Sequence, residues 1–217
     1  MELVTMIIAG VAIVVTASLA TAVKNYQKVK RKNLEIESLR RSLNAYVETY
    51  SFETADEQLI KRCQNKINEL FHGEIEKEFL KYKTIEEKKN YAQKVAMELA
   101  NCMGIKVDYI HFEYLGPNTR GATVPDNGQV TVYFNDVLLV DDPSQLVKTM
   151  CHEFKHCVQF QSFTNNVWCY SPQKVAQWLY SWDNYVPCEC LESYEAYVKQ
   201  IIEIDANKFA DAIFNVK

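Results

Sequence analysis

Residues 142–161, "DPSQLVKTMCHEFKHCVQFQ", constrain the fold more than any other stretch. Asp142, Pro143 and Ser144 are helix-opening residues. On the helix they open, Leu146, Val147, Met150, Cys151, Phe154, Cys157 and Val158 gather on one side, while Gln145, Lys148, Thr149 and Gln159 share the other with His152 and His156. At 100° per residue the two histidines stand about 40° apart around the axis and about 6 Å apart along it, so both imidazoles project from one polar face. Such a helix packs its back on a core and turns its histidines to a cleft or to solvent.

Two imidazoles so placed can share a zinc ion. Glu153 sits at the flank of the pair, where a carboxylate reaches a water beside the metal without taking a ligand position, the arrangement behind the HExxH pattern. Lys155 projects from the opposite flank. The competing reading is a solvated face that carries His and Glu without a shared ligand. A catalytic zinc needs a third protein ligand. His72 and His111 precede the motif and no histidine follows it, which leaves Glu192, Glu195 and Glu203, or the thiols of Cys188 and Cys190. Glu203 shares its helix face with small or polar residues, among them Ala196, Asn207 and Ala210, which leaves room for a second helix.

"HEFKH", followed 47 residues later by Glu203 in "EIDAN", resembles the gluzincin metallopeptidases. In that family a second helix supplies a glutamate ligand within a Glu-x-x-x-Asp pattern; here Asn207 stands in the Asp position. The resemblance implies Zn2+ held by His152, His156 and Glu203, with Glu153 as the catalytic base of peptide-bond hydrolysis and an unidentified peptide or protein as substrate. "GQVTVYFNDVLLVDDPSQLVKTMCHEFKHCVQ" looks like the edge strand, linker and active-site helix of small gluzincins, so Val130 to Phe134 is expected to lie over the cleft and pair with substrate. A tyrosine or histidine often stabilises the oxyanion in this family, and Tyr185 and Tyr197 are near in sequence.

The rest of the chain frames this region. Residues 3–23 hold 21 consecutive uncharged positions, enough to span a bilayer, and Lys24, Lys28, Lys30, Arg31 and Lys32 follow. The reading is a single-pass transmembrane anchor with the remainder in the cytoplasm; a signal peptide is the rival, but its basic leading region is missing. Seven cysteines at irregular positions make a poor disulfide framework and suit a reducing compartment. A net charge of −4, with no basic cluster beyond that one short run, argues against nucleic acid. From Asn25 to Glu98 the sequence is helix-forming, without proline and with one glycine, Gly73. Thr84 and Glu87 form a capping box, Gly104 a stop, and Ile85, Ala92, Val95, Ala96 and Leu99 are the expected core side of that helix. Residues 105–115 and 128–136 alternate as strands, with turn residues from Gly116 to Gly128 between them. A Trp- and Tyr-rich connection and a last helix from Cys190 to Phe214 complete the chain.

The expected class is therefore α+β. A transmembrane helix (1–24) and a helical juxtamembrane region (25–100) precede a zincin-like domain (101–217), in which a small, mainly antiparallel sheet packs on two long helices. A membrane-anchored zinc peptidase is the leading functional expectation. The alternative is a non-catalytic anchored scaffold with a structural-zinc, zincin-like domain.

Overall fold

A computed structural model describes residues 54–188 and 191–214, together with Lys28, Lys30 and Lys32. Phe52–Lys217 forms one compact unit. Its elements in chain order are α1 (Thr54–Phe71), α2 (Ile75–Leu80), α3 (Ile85–Met103), β1 (Tyr109–Glu113), β2 (Gly121–Asp126), β3 (Gln129–Asn135), α4 (Leu138–Asp141), α5 (Pro143–Thr164), α6 (Pro172–Asp183), α7 (Leu191–Val198) and α8 (Ile201–Phe214).

Local sequence fixes several of the helix ends. Thr84 accepts from Glu87 N while the Glu87 carboxylate returns to the Thr84 N–H, closing the capping box of α3, and Gly104 ends that helix at φ 72°. Asp142 caps α5 by accepting from Gln145 N, with Pro143 in the first turn. The core side of α3 is Ala92, Val95, Ala96 and Leu99 as read, whereas Ile85 is exposed at the helix start.

α5 is the central element. It packs against α8, α6, α3 and the sheet, so its polar side is covered as well: Thr149, Glu153, His156 and Gln159 are buried along with its apolar stripe. Of the two surroundings expected for this face, a cleft or solvent, open solvent is corrected, because α8 and β2 lie over it. α1, which falls in the segment read as juxtamembrane, contributes Leu59, Cys63 and Phe71 to the same core, so the expected junction at 100/101 lies inside one compact unit.

The expected fold class does not hold. The unit is mostly helical, and its sheet is small and mixed, in the order β1-β3-β2, with β1 parallel and β2 antiparallel to β3. β3 is thus the central strand, and the reading of Val130 to Phe134 as a free edge is wrong. The edges are β1 and β2, and the one packed on α5 is β2, which reads in sequence as turn because it carries Gly121 and Pro125. Of the two long helices expected, the first stands as α5 and the second does not. α6 occupies part of the connection, and the last helix is broken between Val198 and Ile201. Gln200 makes that break: its amide accepts from Val186 N at 2.8 Å and donates to Val186 O at 2.9 Å and Tyr197 O at 3.2 Å. The transmembrane helix expected over 3–23, and the cytoplasmic placement drawn from it, lie outside the described residues. Among the described residues no helix is long and apolar enough to cross a membrane.

Register decides what the β2 edge offers. Asn135 N–H donates to Arg120 O at 2.9 Å, which makes Arg120 and Asn135 a hydrogen-bonded pair in a ladder where Gly121 faces Phe134. Bonding pairs recur every second residue, so Ala122 and Val124 direct their backbone groups to β3. Gly121 and Thr123 then direct theirs away from it, and Pro125 stands where its missing N–H leaves no gap in the ladder.

Candidate metal centre

His152 and His156 project from α5, and Glu203 comes from the first turn of α8. The two Nε2 atoms are 3.0 Å apart; Glu203 Oε2 is 3.4 Å from His152 Nε2, and Oε1 is 3.5 Å from His156 Nε2. Ligand atoms held tetrahedrally about 2.0 Å from zinc are about 3.3 Å from one another. The three side chains therefore already stand at the spacing of a shared ion. Among the described residues this is the one group of three or more His, Cys, Asp or Glu gathered closely enough to hold a metal.

Two further observations test the fit. Glu203 is 1 % exposed, and its Oε2 faces only the His152 ring nitrogen at 3.4 Å, an acceptor taken out of water with that one neighbour. Burial would raise the Glu203 carboxyl, but hydrogen bonding to His152 and His156 and their charge outweigh it and hold the group well below the usual carboxylate range. For His156, burial works downward, and Glu203 reverses it to about 9. A carboxylate and two imidazoles crowded around one point in this way form a donor set that a divalent cation satisfies.

The tautomer of His156 is fixed from outside. Gln159, fully buried on the next turn of α5, donates from Nε2 to Ile202 O at 3.1 Å and to Asp205 Oδ2 at 3.0 Å. Its amide nitrogen is thereby committed, so its Oε1 is the atom 2.9 Å from His156 Nδ1. In the neutral imidazole that a metal ligand must be, that contact places the proton on Nδ1 and leaves the Nε2 lone pair facing His152 and Glu203.

Glu153 is buried on the β2 side of α5. Thr123 Oγ1 lies 2.8 Å from Glu153 Oε2 and 3.0 Å from the Glu153 carbonyl, both acceptors for its hydroxyl. Gly121 passes so close that a Cβ there would sit 2.8 Å from Glu153 Cγ and 2.9 Å from Oε1. The strand thus holds the carboxylate from above, and only glycine leaves it room.

Lys155, between the histidines in sequence, is fully buried on the far side of the helix. It pairs with Asp56 of α1 and Asp205 of α8, and Lys174 of α6 bridges the same two carboxylates at 2.7 and 3.1 Å. Tyr170 adds its hydroxyl, and the rings of Tyr170, Trp178 and Phe209 lie around the ammonium.

Sequence reasoning named all three clustered side chains and Glu153. The competing ligands do not join them: Glu195 is exposed and paired with Lys199 at 3.0 Å, and Cys188 is exposed. Cys190 and the Glu192 side chain lie outside the description. Asn207 is exposed, because the buried stripe of α8 runs through Ile202, Ala206, Phe209 and Ile213 and Asn207 lies about 40° beyond Glu203 on the other side. The supporting contact expected from it is made by Gln159 and Asp205. Tyr185 donates to Glu203 Oε1 at 3.2 Å, and both Tyr185 and Tyr197 have phenols pushed up by burial and by the Glu203 charge. Gly121, Thr123, Gln159 and Asp205 went unread; the Gln159 signal was its place three residues after His156 on the histidine face. No protein-family model, no curated protein and no solved structure matches the chain.

Proposed function

We propose that the chain is a zinc-dependent hydrolase of peptide bonds. The observation that carries this reading is the meeting of His152, His156 and Glu203 from two helices at 3.0–3.5 Å, with Glu153 buried beside them. When bound, zinc would lower the pKa of a water towards 7 and polarise a carbonyl. The chain's own part is positional. Gln159 aims the His156 lone pair, Thr123 and Gly121 fix Glu153, and Glu153 takes a proton from water and passes it to the leaving amine. A peptide is the favoured substrate class because the free backbone groups of Gly121 and Thr123 run past Glu153, where an extended chain can pair with them. The resemblance of "HEFKH" and Glu203 to gluzincins supports the same reading.

Protein purified without chelator is expected to carry about one equivalent of zinc, the stoichiometry of a three-ligand centre. Glu153→Gln should retain that metal and lose about 100-fold or more of its hydrolysis of a mixed peptide pool, followed by mass spectrometry. Absence of zinc, or full activity in the variant, overturns the proposal.

A further inference from the structure

Away from the metal centre, α1 and α3 pack against each other, and two thiols meet at their contact. Cys63 Sγ and Cys102 Sγ lie 3.9 Å apart, and neither is in a disulfide. Their surroundings differ in a way that matters for reactivity. Cys63 is fully buried, while Cys102, in the last turn of α3, is partly open to solvent. Arg62 donates from Nη1 to the Cys102 carbonyl at 3.4 Å, which brings its guanidinium beside that thiol. Lys66 adds a second positive charge, and Glu98 opposes them.

We propose that Cys63 and Cys102 form a peroxide-oxidisable thiol pair, with Cys102 as the attacking sulfur and Cys63 as the resolving one. A disulfide bond is about 2.0 Å long, so the sulfurs must close by roughly half their separation, a movement within the reach of side-chain rotation. The division of roles follows access and charge. A hydroperoxide reaches Cys102 first, and there the Cys63 hydrogen bond, Arg62 and Lys66 favour the thiolate against the cost of burial. Cys63, shut off from solvent, stays a thiol; its hydrogen bond to Cys102, its burial and the neighbouring Cys151 push it up and outweigh the opposing charge of Arg62.

The reaction balances in two steps. The Cys102 thiolate attacks one peroxide oxygen, the O–O bond breaks, and hydroxide leaves and takes a proton to become water, giving a sulfenic acid. Cys63 sulfur then attacks the Cys102 sulfur, an S–S bond forms, the S–O bond breaks, and the departing hydroxide takes the Cys63 proton as water. Two electrons pass from the sulfur pair to the peroxide, which is reduced to two waters.

The wild-type chain provides the primary test. After treatment with hydrogen peroxide and blocking of remaining thiols, peptide mass mapping should find the Cys63 and Cys102 peptides joined, two hydrogens lighter than their sum and separable by dithiothreitol. Exposed Cys169 and Cys188 serve as internal references. In Cys63→Ala, dimedone should trap the sulfenic acid on Cys102; in Cys102→Ala, it should leave Cys63 unlabelled. Arg62→Gln should slow cross-linking severalfold at fixed pH. Oxidation of Cys169 and Cys188 with Cys63 and Cys102 still free overturns the proposal, as does persistent dimedone labelling of Cys102 in the wild type without a cross-link.

Discussion

Gln159 can satisfy its amide in one orientation only, since its nitrogen faces a carbonyl and a carboxylate. Gln159→Met keeps the volume but removes the acceptor that fixes His156. Zinc affinity, measured by chelator competition, is expected to fall 10- to 100-fold. The residue was hard to read because its partners sit on another helix, 43 and 46 positions away, and a glutamine on a polar face ordinarily meets water. His152, His156 and Glu153 were legible because helical periodicity alone sets their relation, with no knowledge of the fold required. Gly121 presents the opposite case. A glycine among turn residues reads as a turn, and only the approach of Glu153 gives it another meaning. In Gly121→Ala the new Cβ must displace the Glu153 side chain; a shift of about 1 Å at a reacting group costs on the order of 100-fold in rate. The zinc content should be unchanged, which separates this effect from loss of the metal centre.

At the scale of elements, α1, α5, α6 and α8 are clamped by Asp56, Lys155, Lys174 and Asp205. Asp56→Ala leaves Lys155 buried with half of its counter-charge, and a loss of about 3 kcal/mol in urea unfolding is expected. Burial pulls the Asp56 carboxyl up, but the Lys155 charge and hydrogen bonds from Lys155, Lys174 and Tyr170 prevail and hold it below its ordinary 3.8. The folded value is depressed, so this stabilisation is complete above the unfolded value and is lost as pH falls from about 4 through the folded value. Acid unfolding should accordingly be shallower in Asp56→Asn than in the wild type when followed by circular dichroism from pH 5 downward. The elements themselves were legible where local chemistry decides them, as at the Thr84 box, Gly104, and Asp142 with Pro143. They were lost where a tertiary contact decides: β2 is a strand only because β3 lies beside it, and the final helix breaks because Gln200 fastens to Val186.

For the whole molecule, the core built by α1 and α3 means that the helix carrying His152 and His156 does not rest on residues after 100 alone. A fragment beginning at residue 101 loses Leu59, Cys63, Phe71, Leu99 and the Asp56 carboxylate together. It is expected to lack fixed tertiary structure by near-ultraviolet circular dichroism, whereas a fragment beginning at Phe52 should unfold cooperatively. Charge and length were readable at this scale, and the extent of the unit was not, because a helix-rich segment without proline looks the same whether it stands apart or packs. The open side of β2 has one more consequence, for crowded solutions. Unpaired strands are templates on which identical chains stack into fibrils, and proteins blunt them with short length and proline. Among the described residues the N–H groups of β2 left without a partner end at Thr123, because Pro125 has none to give. The row is long enough to grip a few residues of a visiting chain and too short to seed a growing ladder of copies.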